Sequence, residues 1–174
     1  MNGVVFPVGF SFMKLERAHP RAKFDCRQPK VDQWLRTKAL QHQEKHLSVT
    51  KALLSPAGEI AGFYSLATGQ VDFSDLPTEI VHKLPRRPLP VAVLAWLGVN
   101  IHHQGLGLGQ GLLAQALQDC HDAGQSFALV AVIIDCISES AKSFYLQWDF
   151  AELPGHPFRL YLSANALAAM AGRT

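Results

Sequence analysis

From Val91 to Val99 the chain reads Val-Ala-Val-Leu-Ala-Trp-Leu-Gly-Val, without a single charge. A strand with one wet face alternates apolar and polar residues, so a continuous apolar run predicts a central strand covered on both faces. The run passes through Asn100-Ile101-His102-His103 into Gln104-Gly105-Leu106-Gly107-Leu108-Gly109-Gln110-Gly111. A helical pattern follows over Gln110–His121, with Leu112, Leu113, Ala116 and Leu117 on its inner face and Gly124 as its stop. A strand that runs through glycines into a helix start is a place to put a phosphate. Glycine has no side chain to block an anion, bare N–H groups converge there, and the helix dipole favours negative charge. The stretch predicts a site for a pyrophosphate-bearing cofactor.

A second apolar run, Phe127–Ile134, predicts another buried strand. With the helix between them, the two strands make a parallel βαβ unit. Upstream, Phe10–Leu15 reads as a first strand, and Asp25 as a helix cap or turn residue. From Lys30, the residues Val31, Trp34, Leu35 and Ala39 recur at helical spacing up to about His42, with Pro29 where a first-turn proline is tolerated. Leu47–Leu54 and Glu59–Ala67 flank the turn signal Ser55-Pro56-Ala57-Gly58 and read as an antiparallel hairpin. Residues 72–90 read as loop with a short helix over Pro77–Leu84. Ser138–Gln147 reads as a helix capped by Ser138, with Glu139 at its positive end. A closing hairpin over Phe150–Leu153 and Phe158–Leu162 and a frayed turn over Ala164–Ala169 complete the chain.

The 174 residues are 48% hydrophobic, which suits one domain with a real core over the whole of 1–174 and argues against disorder. The apolar run at Val91–Val99 is half of what a membrane-spanning helix needs, about 20 residues. The N-terminus lacks the pattern of a signal peptide. Cys26, Cys120 and Cys136 form no CxxC pair, so neither a zinc site nor a disulfide framework is expected, and an odd count suits a reducing compartment. A cytoplasmic protein without a metal is the expectation. Charge is uneven. Residues 1–90 carry 13 Lys/Arg against 8 Asp/Glu, whereas 91–174 carry 3 against 6. That asymmetry permits a basic face toward RNA or another anion.

The glycine spacing departs from two better-known phosphate loops. In a dinucleotide fingerprint the third glycine would fall at Gln110, but here it comes early, at Gly109, and Asp119 falls on the helix rather than at the end of a following strand. A Walker loop is excluded because no Gly-Lys-Ser/Thr follows.

What the loop does resemble is the acetyl-CoA motif of the GNAT N-acetyltransferases, Gln/Arg-x-x-Gly-x-Gly/Ala, matched here by Gln104, Gly107 and Gly109. The resemblance runs from about Phe10 to Leu162. It implies an α/β (α+β mixed) GNAT fold: a central, mostly antiparallel mixed sheet with one splayed parallel strand pair and flanking helices. It implies acetyl-CoA as cofactor, its pyrophosphate on the amides of Gln104, Gly105, Leu106, Gly107, Leu108, Gly109 and Gln110. Leu97, Gly98 and Val99 would face the pantetheine and acetyl group, with Phe127–Val132 opposite.

More narrowly, the chain is similar to the GNAT toxins of bacterial type II toxin–antitoxin systems. The matching elements are Phe24-Asp25-Cys26, Val31-Asp32-Gln33-Trp34-Leu35, Ala39-Leu40, Gly62-Phe63-Tyr64-Ser65-Leu66-Ala67, the glycine loop and Phe144-Tyr145. Members of that family acetylate the α-amine of the amino acid on charged tRNA and so stop translation. They pair with a small antitoxin, often a ribbon-helix-helix protein, and are often homodimers. Two positions depart from the pattern: Trp96 stands where the family commonly has a basic residue, and Asp149 stands where it has glycine.

The resemblance gives Tyr145 the role of acid toward the departing thiolate. The backbone N–H of Val99 is the natural donor to the oxyanion. No general base stands out, and the low pKa of an aminoacyl α-amine leaves enough of it neutral for a water to suffice. His102 and His103 adjoin the loop and could relay a proton, although solvated loop histidines are commoner; Cys136 reads as a small buried residue. Basic residues between Lys14 and Lys45, with Arg86 and Arg87, are the candidates to flank a tRNA acceptor stem. Two other readings stay open: an acetyltransferase for a small amine or a protein N-terminus, and a catalytically weakened partner of a DNA-binding antitoxin.

Overall fold

The computed structural model describes residues 3–172. Among these described residues seven strands pair in the order β1-β2-β3-β4-β5-β7-β6. They are β1 (Ser11–Lys14), β2 (Val49–Leu54), β3 (Ile60–Val71), β4 (Leu89–Val99), β5 (Ala131–Asp135), β6 (Ala151–Leu153) and β7 (His156–Ser163). The helices are α1 (Pro29–Thr37), α2 (Ala39–Glu44), α3 (Thr78–Val81), α4 (Leu108–Gly124), α5 (Glu139–Leu146) and α6 (Ala164–Ala171). The chain groups into two compact units, one of 3–67 and 95–116, the other of 68–94 and 117–172.

In the first unit, Pro29 opens α1, and Val31, Trp34 and Leu35 turn inward at the predicted spacing. The helix expected to reach His42 breaks at Lys38 (φ −122°, ψ −33°), and α2 restarts at Ala39. No glycine or proline marks that break. β1 pairs antiparallel with β2, and β2 with β3. Gly58, at φ +83°, donates its N–H to the Ser55 carbonyl at 2.9 Å and closes the β2–β3 turn. The fully buried hydroxyls of Thr50 and Ser65, opposite each other in register, satisfy one another. Leu15, Phe24, Leu35, Ala52 and Phe63 centre the core, and Trp96 packs against it.

In the second unit, β4 and β5 run parallel with Val91 opposite Ala131 and Leu94 opposite Ile134, the predicted βαβ pairing. β7 pairs antiparallel with both β5 and β6. The core gathers Val71, Leu89, Val91, Ala131, Ile133 and Leu153. Ser138 caps α5, its Oγ accepting the Ala141 N–H at 3.1 Å. Ser163 does the same for α6, accepting from Ala166 at 3.2 Å, so the C-terminal segment is a capped helix of two turns rather than a frayed turn.

The second apolar run begins its strand late. Residues 127–130 lie outside β5, and Phe127 is 79% exposed. Its N–H returns to the Ala123 carbonyl at 2.8 Å and finishes α4, while Val130 donates to Pro90 at 2.9 Å before the register with β4 begins. The expectation of a buried strand over Phe127–Ile134 is therefore corrected: the strand covers only Ala131–Asp135.

Candidate functional site

The exit of β4 is tied down by Asn100, only 4% exposed. Its N–H donates to Ala61 at 2.8 Å, its Nδ2 to Ile60 at 3.3 Å, and its Oδ1 accepts the His102 N–H at 3.1 Å. Asn100 thus caps the 3-10 turn Ile101–His103 that leads into the loop. The Gln104 side chain then reaches back, its Nε2 donating to the Val99 carbonyl at 3.0 Å.

Beyond Gln104 the backbone takes a conformation that glycine suits. Gly105 sits at φ +83° and Gly107 at φ +74°, and a Cβ on either would meet no atom within 4 Å. Leu106 points outward, 59% exposed, whereas Leu108 is 3% exposed and roots the start of α4. The helix begins at Leu108, two residues before the expected Gln110, so Gly109 lies in its first turn. A helix start leaves its first N–H groups without intrahelical partners, and α4 is 17 residues long. Backbone left bare by Gly105 and Gly107 in front of those N–H groups suits a pyrophosphate.

Leu97 and Val99 are half-buried, and Gly98 is buried. β3 contributes Gly62, where a Cβ would lie 2.6 Å from Leu112 Cδ1 and 3.1 Å from the Gly98 carbonyl. Only a glycine lets α4 approach the strand so closely. Neither Asn100 nor Gly62 was singled out from the sequence for these roles. The signals present were an asparagine just before a turn and a glycine inside a strand.

In the other unit, Tyr145 is 8% exposed, with Phe144 and Phe150 edge-on to its ring at 5.2 and 6.1 Å. Burial, seconded by the neighbouring Cys136, pushes its phenol well above the ordinary tyrosine range. Cys136 is half-exposed rather than buried, and burial with the Asp135 charge lifts its thiol to about 11. All three cysteines are free thiols.

Of the two histidines beside the loop, His102 is exposed; His103 meets the Phe10 ring edge-on at 6.0 Å with its Nδ1 buried and unpartnered. The basic residues divide. Lys14, Lys23, Lys30, Lys38 and Lys45 are exposed. Arg17 is paired with Glu44 at 2.6 Å, Arg36 donates to the Phe24 carbonyl at 2.7 Å, and Arg86 lies over the Phe73 ring at 5.8 Å. Among the described residues no helix is long and apolar enough to cross a membrane.

No family model matches the chain. Solved structures share its fold: AtaT complexed with acetyl-methionyl-tRNAfMet superposes with a TM-score of 0.85 at 20% identity, over 93% of this chain and 99% of that one. AtaTR bound with AcCoA superposes with a TM-score of 0.82 at 20% identity, over 93% and 98%. Together with the mixed sheet and its parallel β4–β5 pair, these likenesses define a GNAT-fold protein. In sequence the chain is 31% identical over 159 residues to the tRNA-acetylating toxin of Mycobacterium tuberculosis, covering 91% of this chain and 95% of that protein. The chain belongs to the family of GNAT-type tRNA-acetylating toxins.

Proposed function

We propose that this protein transfers acetyl from acetyl-CoA to the α-amine of the amino acid on charged tRNA and thereby blocks translation. The observation that carries the reading is the loop after β4, where Gly105 and Gly107 at positive φ leave open backbone before a long helix in a chain 31% identical to a tRNA-acetylating toxin. The amides of Gln104 through Gln110 hold the pyrophosphate, and Leu97, Gly98 and Val99 line the pantetheine. Acetyl-CoA supplies an activated thioester. Held there, it would offer its carbonyl carbon to the neutral amine; the C–S bond would break with its electron pair leaving on the coenzyme A thiolate, and the amine's proton would pass to water.

Each protein group then has a defined task. The Val99 N–H stabilises negative charge on the carbonyl oxygen, where a preorganised donor is worth roughly 3 kcal/mol. Tyr145 serves the departing sulfur. Its raised pKa lies above that of a thiol, about 8.5, so a hydrogen bond from the phenol to the sulfur is favoured over full proton transfer. No carboxylate base is required, because an α-amine has a pKa of about 8 or lower. The exposed lysines between Lys14 and Lys45 supply salt-sensitive contacts to tRNA phosphates. Residues 1–174 act as one acetyltransferase domain in the cytoplasm, where charged tRNA is found. The protein works as a homodimer and is neutralised by an antitoxin, a separate DNA-binding chain of ribbon-helix-helix type.

The test is acetyl transfer itself. Purified protein, labelled acetyl-CoA and charged tRNA should give label on the amino acid, and uncharged tRNA should give none. Label on a polyamine or a protein N-terminus, with charged tRNA untouched, overturns the reading.

A further inference from the structure

Two side chains one turn apart on α1 clip the segment Phe24–Cys26. Asp32 Oδ1 accepts the Cys26 N–H at 2.9 Å, and Arg36 Nη2 donates to the Phe24 carbonyl at 2.7 Å. The i, i+4 spacing puts both on one face of the helix. Asp32 is only 5% exposed, and a carboxylate so buried persists only where its oxygens are satisfied. The clipped segment in turn holds the end of β4. The Asp25 carbonyl accepts the Ile101 N–H at 2.8 Å. Cys26 packs on Gly98, where a Cβ would lie 3.4 Å from Cys26 Sγ, 3.1 Å from Val31 Cγ1 and 3.3 Å from Phe63 Cε1. Gly98 and Ile101 bracket Val99, so contacts before and after that residue both lead back to one carboxylate.

We propose that Asp32 is a positioning residue for acetyl transfer: through Cys26 and Asp25 it sets where the Val99 N–H stands. The inference rests on the reading that Val99 stabilises the oxyanion. An apolar residue at 32 would serve the core as well as its neighbours Val31 and Leu35 do. A carboxylate there costs desolvation, and what it adds is a directional bond to one amide. Donors to a developing oxyanion must be placed to a fraction of an ångström, and a displacement of about 1 Å can cost about 100-fold in rate.

The test uses the full chain with Asp32→Ala, Asp32→Asn and Arg36→Ala, the last at a solvent-exposed side chain. Two readouts are taken: native-state hydrogen exchange at the Ile101 amide, and acetyl transfer to charged tRNA separated into kcat and the KM for acetyl-CoA. Asp32→Ala should speed Ile101 exchange relative to Ala52 in β2 and lower kcat by about tenfold or more, with KM moving less than about threefold because Asp32 does not touch the glycine loop. Asp32→Asn keeps an oxygen acceptor for Cys26 and should restore both readouts. Arg36→Ala should shift both in the same direction by less. An unchanged kcat in Asp32→Ala, or Ile101 exchange that moves only in step with Ala52, overturns the proposal. If the wild-type protein transfers no acetyl group, the functional reading fails by itself. Ile101 exchange in Asp32→Ala then still decides whether this carboxylate holds the end of β4, and unchanged exchange overturns that.

Discussion

The indole rings of Trp34 and Trp96 lie stacked, 5.2 Å between centroids and 18° from parallel. Phe63 stacks on Trp34 at 6.3 Å, so α1, β3 and β4 are joined by three rings in a row. Trp96 therefore serves the core. Trp96→Ala should destabilise the protein by about 2–3 kcal/mol, less than for a fully buried tryptophan because the ring is half-exposed. Urea denaturation followed by tryptophan fluorescence checks this, and a loss below about 0.5 kcal/mol would assign Trp96 to the surface.

At Gly107 the space above the backbone is empty, so an added methyl clashes with no protein atom. Gly107→Ala should cost only about 1–2 kcal/mol of backbone strain at φ +74°. Its Cβ would project toward the phosphates, so the Kd for coenzyme A should rise by about tenfold or more while the fold persists. Calorimetric titration with coenzyme A measures the shift.

Tyr145→Phe keeps the ring and its edge-on contacts with Phe144 and Phe150, so stability should change by no more than about 1 kcal/mol. The transfer rate should fall by about 100-fold, the usual worth of a donor to a leaving group. Because burial holds the wild-type phenol above its ordinary pKa of 10.0, the pH–rate profile should show no descending limb from this tyrosine below pH 10.

Burial pushes the Cys26 and Cys120 thiols from 9.0 to about 12. The folded chain then holds these protons more tightly than the unfolded chain. The stabilisation is complete below pH 9 and is lost as pH rises toward 12. Thermal midpoints should decline across that window, and Cys120→Ala should make the decline shallower. At neutral pH, a disulfide reagent should modify half-exposed Cys136 first, leaving the two buried thiols until unfolding.

The parts of the fold that declare themselves in sequence are those with a local cause. Pro29 with Val31, Trp34 and Leu35 marks α1, Ser55–Gly58 marks the hairpin turn, and the glycines after His103 mark the loop before α4. Boundaries decided by tertiary partners did not declare themselves. Phe127 to Val130 are as apolar as the strand they precede, yet they lie outside it, and the Phe127 N–H closes α4 instead. Lys38 breaks the helix with no residue type to announce it. The role of Asp32 is hidden for a related reason: nothing local in the sequence points from it to Cys26, and only the fold brings that amide to its oxygen.

Asp149, just beyond α5, sits at φ +64°, a backbone setting that costs a non-glycine residue roughly 1 kcal/mol. Aspartate tolerates it better than most, yet glycine would relieve it at the expense of a looser denatured chain. Anyone wanting a sturdier scaffold for crystallography or inhibitor screening has a single-codon starting point there, far along the chain from the phosphate loop.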